Sequence, residues 1–302
     1  MQTYTYETTL AASEKVEWAV EDVIGGDKRL DFTRPFLPES FARTAEAPGL
    51  SAGEKLKLNQ IRGHDYLCAF GLVEEFILPF VVDHVRPHLS GDDYRVRAFL
   101  AFASEEAKHI QLFKRFREEF RAGFGTECAV IGPPEEVAKA VLAHTPLGVA
   151  MVILHLEWMS QRHFTDSVRG EAGLDPQFKS LLRHHWMEEA QHAKLDTLMI
   201  RALAEGKTDS DVLAAVEEYL EVVAMFDESF RAQSEMNAAS LERATGRALP
   251  DTARAALVAQ QHQAMRWTFL GLGMTHPEFL ATLGELSPKA RARVEAVSPK
   301  YC

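Results

Sequence analysis

Two short segments carry the same side chains at the same spacing. SEEAKH sets Glu106 three residues before His109, and MEEAQH sets Glu189 three residues before His192. The copies lie 83 residues apart, from 106 to 189 and from 109 to 192. Glu74 in GLVEEF and Glu157 in LHLEWM are separated by the same 83 residues, each in an apolar setting upstream of one copy. Three equal offsets indicate an internal repeat of one helical hairpin. On an α-helix, residues i and i+3 share nearly one face and stand about 4.5 Å apart along the axis, so a carboxylate and an imidazole can reach one ion. Two such helices facing each other, with one further glutamate from each neighbour, bring Glu74, Glu106, His109, Glu157, Glu189 and His192 together. Four carboxylates and two imidazoles are the ligand set of a dinuclear iron or manganese site in a four-helix bundle. Without cations, four carboxylates converging in an apolar core would cost more than a marginally stable fold can carry.

A lone ExxH is common on helices, and paired glutamates usually form a solvated face. The duplication and the apolar surroundings of Glu74 and Glu157 point to metal instead. Glu75 competes with Glu74. If Arg62, Asp65 and Asp83 mark the polar side, a turn of about 100° per residue puts Glu74 opposite Asp65 and Glu75 to one side, which favours Glu74. His185 precedes Glu189 by four and lies on the same face, one turn away. By spacing alone it is an outer residue or a satisfied core histidine.

The elements that must position these residues are helical throughout. Residues 54–87 read as one long helix, bent near Pro79. A second starts in the cap region Ser90 to Asp93 and runs to about Ala122, before Gly123. A third starts at Pro146 and stops near Gly170. A fourth opens at Asp175 and Pro176 and ends near Gly206. Residues 208–246 and 250–273 give two more long helices. Thr275 and Glu278 at capping-box spacing start a short terminal one. The expected fold is all-α: a ferritin-like four-helix bundle over about 54–206 holding a dinuclear metal centre, with accessory helices over about 209–302, in a single domain 1–302.

Composition limits the partners. A net charge of −11 gives no broad basic footprint for a phosphate backbone, so nucleic acid is not expected. The content is 46% apolar and 25% charged, as in soluble globular chains. MQTYTYETTL lacks the basic and apolar regions of an export signal, and Glu74 and Glu75 interrupt the apolar runs LCAFGLV and FILPFVV. No membrane association is expected. Cys68, Cys128 and Cys302 are distant and include no CxxC, which fits a reducing, cytoplasmic location.

His185, Glu189 and His192, with Glu74, Glu106, His109 and Glu157, resemble the seven-ligand arrangement of the p-aminobenzoate N-oxygenase family of di-iron enzymes. The resemblance is at the level of motifs and covers roughly residues 60–200. It implies that His185 is an extra ligand to one iron, and that the chain activates O2 as a monooxygenase, with aryl-amine N-oxygenation the leading transformation. Such enzymes often have aspartate before ExxH, where this chain has Glu105 and Glu188; these longer side chains are expected to accept the histidine N–H groups. The EExxH wording is also similar to acyl-carrier-protein desaturases, so the metal site carries over more safely than the substrate. Phe113 stands where small subunits of ribonucleotide reductase place a radical tyrosine one turn after the first ExxH, and no rubrerythrin-type cysteine site is present.

The expected cofactors are two iron ions, with manganese the alternative, together with O2 and an external electron donor. The expected partners are a small-molecule substrate, a reductase and a second copy in a homodimer. A ferroxidase without organic substrate, or a desaturase-like or hydroxylase-like enzyme, is the alternative reading. His155, His163 and His184 are expected to be exposed or satisfied in the core. Phe70, Phe99, Phe102, Phe113, Ile153 and Trp158 line a substrate pocket or simply fill the core. Arg162 meets a substrate carboxylate or pairs with Glu105 or Glu188.

Overall fold

An N-terminal segment with three short helices, α1 (Tyr6–Ser13), α2 (Val20–Val23) and α3 (Glu39–Ala42), leads into the first long helix, α4 (Ala52–Val85). Then come α5 (Asp93–Phe124), α6 (Pro134–Leu142), α7 (Pro146–Arg162) and α8 (Pro176–Ala204). The chain continues through α9 (Asp209–Thr245), α10 (Asp251–Met265), α11 (Leu272–Met274), α12 (Pro277–Leu286) and α13 (Pro288–Val297). This computed structural model describes residues 4–302, so the first three residues of MQTYTYETTL lie outside the described residues. Among the described residues there is no strand beyond one isolated bridge between Gly25 and Lys28. No described helix is long and apolar enough to cross a membrane.

Local chemistry sets the helix ends. Ser51 and Glu54 form a capping box on α4, Asp92 accepts from the backbone N–H groups of Tyr94 and Arg95, and Asp175 accepts from Phe178 with Pro176 at the first helical position. Gly125 ends α5 at φ 76°, a left-handed conformation that glycine adopts without penalty. Gly123, expected to stop that helix, is inside it. A Cβ there would come within 2.2 Å of the Phe32 ring, so this glycine makes room for a ring from the N-terminal segment. Pro79 stays within α4, on its exposed side.

The helices α4 and α5 pack as one pair and α7 and α8 as another, and the pairs meet where α5 lies on α8. The long helix α9 packs on both α4 and α7, covering the side of the bundle opposite the α5–α8 contact, and α10 packs on α9. Helix α4 is therefore buried on two sides. Arg62 and Asp65, which the sequence placed on a polar face, are 0% and 2% exposed. Asp65 sits 3.1 Å from Arg62 and accepts from Asn237 of α9, while Arg62 donates to Gln261 of α10. Burial, only partly offset by Arg62, raises the Asp65 carboxyl to about 6.

Two stretches differ in kind from the expected helices. Residues 163–168 after α7 and 266–271 between α10 and α11 are π-helical, a wide winding that sequence periodicity does not reveal. The terminal helix α12 is capped by His276, whose Nδ1 accepts from the Glu278 N–H, rather than by Thr275, whose hydroxyl donates to the Gly271 carbonyl. Helices α1–α3, α6 and α13 were not expected.

Candidate metal centre

The four helices α4, α5, α7 and α8 contribute Glu74, Glu106 with His109, Glu157, and His185 with Glu189 and His192 to one buried cluster. None of the seven is more than 4% exposed. Two groups, each with ligand-type atoms all within 4.8 Å of one another, overlap inside it: Glu74, His109, His185 and Glu189, and Glu106, His109, Glu189 and His192. Glu189 is the carboxylate common to both. Its Oε1 is 3.0 Å from His185 Nε2 and 3.2 Å from His109 Nδ1, while its Oε2 is 3.5 Å from His192 Nδ1. Glu106 Oε1 lies 3.0 Å from His192 Nδ1, and Glu74 Oε1 lies 3.0 Å from His185 Nε2. Glu157 falls outside both groups but lies within hydrogen-bonding reach of Glu189. Glu75, the rival of Glu74, is half-buried and outside the cluster.

The ring orientations bear on metal binding. His109 Nε2 lies 2.8 Å from Glu188, and His192 Nε2 lies 2.8 Å from Glu105. Each ExxH histidine is thus held by the glutamate that precedes the other copy of the motif, which fixes its Nε2 as the donor and turns Nδ1 inward. The outer carboxylates are themselves anchored. Glu188 pairs with Lys108, whose ammonium sits 4.0 Å from the Trp18 ring centroid, and Glu105 accepts from Ser13 of α1. Trp18 also stacks on His109, so the N-terminal segment closes this side of the site.

Several inward-facing atoms are buried without a hydrogen-bond partner: Glu74 Oε2, both Glu106 oxygens, His109 Nδ1, Glu157 Oε2 and His192 Nδ1. Buried polar atoms are normally satisfied, so a concentration of orphans on carboxylates and imidazoles fits cations between them. The crowding of like and unlike charges also shifts the titration of these groups. Burial and the neighbouring Glu106 raise Glu74 to about 8. Burial opposes charge on His185, but Glu189 and Glu74 outweigh it and raise the ring to about 9. For Glu189 burial acts upward and is overcome by His185 and His192, which hold its carboxyl well below the usual range.

The repeat extends beyond the ligand-type residues. Phe102 occupies on α5 the position that His185 occupies on α8, again 83 residues away. Phe102 stacks on His192 at 3.9 Å between centroids, and His185 meets His109 edge-on at 4.7 Å. Both halves therefore place a flat ring against the opposite ExxH histidine, but only the second carries nitrogen. Phe113 is likewise matched by Asp196, fully buried with neither oxygen hydrogen-bonded. Asp196, Trp18, Lys108 and Ser13 were not singled out from the sequence; the HxxxExxHxxxD spacing of α8 is the one available signal, and it concerns Asp196.

The other candidates lie outside the two ligand groups. His155 and His163 are buried and each bridges a tyrosine and a backbone carbonyl; His184 bonds the Ser180 carbonyl. Arg162 donates to the Leu272 carbonyl and Thr275 and lies near Asp166, away from Glu105 and Glu188. Phe70 and Phe113 pack edge-on against His185, and none of the six hydrophobic candidates lines a described cavity. The apolar cavity in the seam of α4, α7 and α9, between Leu72, Leu156 and Phe230, measures only ≈ 30 Å³.

Burial holds three core histidines neutral: His64 at about 3, with Arg117 and Arg121 adding to the effect, His155 at about 4 and His163 at about 3. All three lie below the ordinary histidine value. Between pH 6.5 and about 4 the unfolded chain therefore binds protons that the folded chain refuses, and this part of the stability is full above 6.5 and falls as the pH falls. The urea midpoint should drop across that window, and His64→Asn should flatten the slope by about one proton. An unchanged slope in the variant would show that His64 titrates normally.

No family model matches the chain, and no curated protein does either. Among solved structures, it is similar to a variant of an R2-like ligand-binding oxidase with aerobically reconstituted Mn/Fe cofactor, at 15% identity over 88% of this chain and 94% of that one, with a TM-score of 0.43. A second variant, with aerobically reconstituted Fe/Fe cofactor, gives 14% identity over 88% and 93% with a TM-score of 0.44. Likeness at this level assigns neither residues nor activity.

Proposed function

We propose that the chain is a dinuclear-metal oxidoreductase that uses O2, with iron the expected metal and manganese the alternative. The observation that carries this reading is the pair of overlapping glutamate–histidine groups, with their orphaned atoms turned inward and the far nitrogens of His109 and His192 held by Glu188 and Glu105. Glu74, His109 and His185 would hold one ion, Glu157 and His192 the other, with Glu106 and Glu189 between them. When bound, such a pair supplies Lewis acidity and redox equivalents for O2. The chain itself excludes water, orients the two ExxH rings and, in the buried Asp196 whose oxygens have no partner, keeps a carboxyl group beside the site that is not among the seven ligands. By the motif resemblance, the leading transformation is monooxygenation of a small organic substrate, aryl-amine N-oxygenation first, with electrons from an external donor.

The small seam cavity favours a second reading, a ferroxidase without organic substrate. Anaerobic iron loading followed by O2 separates the two. The oxygenase reading expects close to two irons per chain and O2 uptake in step with added aryl amine. Many irons per chain with no substrate coupling would favour the ferroxidase, and a fully folded protein that binds none or one would end both. His185→Ala should still bind two metals, because six ligands remain, but one ion gains a solvent-exchangeable position visible as a shorter distance to solvent protons in pulsed magnetic resonance. An unaltered spectrum would remove His185 from the ligand set.

A further inference from the structure

Two tyrosine–histidine pairs outside the metal cluster share one design. His163 Nε2 lies 2.8 Å from the Thr268 carbonyl, and its Nδ1 lies 2.7 Å from the Tyr66 hydroxyl. His155 Nε2 lies 2.9 Å from the Phe269 carbonyl, and its Nδ1 lies 2.7 Å from the Tyr219 hydroxyl. A carbonyl oxygen only accepts, so Nε2 of each ring carries the proton and Nδ1 is bare. Each phenol must then donate to Nδ1. Both rings thus hang from the π-helical stretch 266–271, which fixes their tautomers and presents a ready proton acceptor to a buried phenol.

The pairs differ in where their aromatic neighbours lead. The Tyr66 ring is 4.7 Å from Phe70, and Phe70 meets His185 of the metal cluster at 5.1 Å. Tyr219 meets His155 of α7 and Phe279 of α12, and among the described residues no aromatic contact joins these three rings to the histidines of the cluster. We propose that Tyr66 and His163 form a one-electron, one-proton relay serving the metal centre, and that Tyr219 with His155 does not. The proposal rests on the dinuclear-metal reading. In the forward step Tyr66 gives one electron, across Phe70 and His185, to the O2-oxidised metal centre, which is reduced by one. Its Oη–H bond breaks, an Nδ1–H bond forms on His163, and the products are a neutral tyrosyl radical and an imidazolium. The reverse step restores both groups.

Burial supports this coupling. Tyr66 is 2% exposed and its phenol is held well above its ordinary pKa, first by burial and then by the charge of Glu189, so electron loss from a preformed phenolate is not available. Burial also holds the His163 ring at about 3, so Nδ1 is free to accept at neutral pH. An oxidised phenol is a far stronger acid than an imidazolium, so the transfer runs downhill even though burial disfavours the imidazolium.

The test is electron paramagnetic resonance of iron-loaded protein frozen after mixing with O2 in the absence of substrate, with iron oxidation followed by Mössbauer spectroscopy on the same samples. A tyrosyl signal is expected in the wild type, absent from Tyr66→Phe and retained in Tyr219→Phe. His163→Gln, which keeps a polar partner for the phenol without a basic nitrogen, should lower the radical yield by at least about tenfold. Oxidised iron without a tyrosyl signal, or a signal that survives Tyr66→Phe, overturns the relay and leaves the metal reading intact. Failure of iron to bind or oxidise counts against the metal reading instead. Metal-free protein, photoionised in the frozen state and annealed, then decides the tyrosine's part: Tyr66→Phe should remove a share of the tyrosyl signal, and no change overturns the proposal.

Discussion

Glu189→Ala is expected to give a folded helical protein that no longer holds a metal pair. The two carboxylate oxygens of Glu189 face different groups, Oε1 towards His109 and His185 and Oε2 towards His192, so under the proposed arrangement truncation would take a ligand from both ions at once. It also removes the anion that most directly offsets two cations in a water-poor core. Loss of a merely supporting partner lowers metal affinity about 10–100-fold, and a shared ligand should exceed that range. Iron content after loading should fall from about two per chain to below one, while the far-ultraviolet circular dichroism stays helical. Alanine suits the middle of α8, but it leaves the buried His185 and His192 rings without the carboxylate that faces both, so the metal-free variant should be less stable than the metal-free parent while remaining helical. Glu75→Ala, outside the cluster, should keep two irons. Should Glu189→Ala also bind two irons as tightly as the parent, the bridging arrangement is wrong.

Repetition and period made much of the centre legible. The 83-residue offset pairs Glu74 with Glu157, Glu106 with Glu189 and His109 with His192, and a polar residue repeated at core positions has few uses other than binding something. The four helices that bring them together follow from caps and period alone. Spacing could not decide His185. The fold places Phe102 at the matching position of the other half, packed on the opposite histidine, a contrast that spacing does not show. Contacts distant in sequence were also hidden. Arg62 and Asp65 looked like a polar face because nothing local reveals that α9 and α10 cover that side of α4. Gly123 looked like a stop because Phe32, 91 positions earlier, is what it accommodates. The π-helical stretches leave no periodic trace, yet one of them sets the tautomers of both tyrosine-bonded histidines.

The outer glutamates give the second large effect, and they are not equivalent. Glu188 is 0% exposed, accepts the Nε2–H of His109 and is paired with Lys108, whereas Glu105 is half-buried and is held by the neutral hydroxyl of Ser13. Glu188→Ala frees the His109 ring to turn or change tautomer and strands the Lys108 ammonium beside Trp18. Metal affinity should fall by about 10–100-fold, measured by competition with a chelator at fixed pH. Glu105→Ala should lose less, because a partly exposed site lets water replace the lost acceptor at His192. Two further variants separate orientation from charge. Glu188→Gln keeps an acceptor for the His109 N–H but not the negative charge, so it should retain most of the affinity if ring orientation is what Glu188 provides. Lys108→Met in the Glu188→Ala background removes the stranded cation and should recover thermal stability without recovering affinity. Affinity within twofold of the parent in Glu188→Ala would mean that His109 does not depend on this partner, and the crossed support between the two halves of the repeat would then have no part in holding the metals.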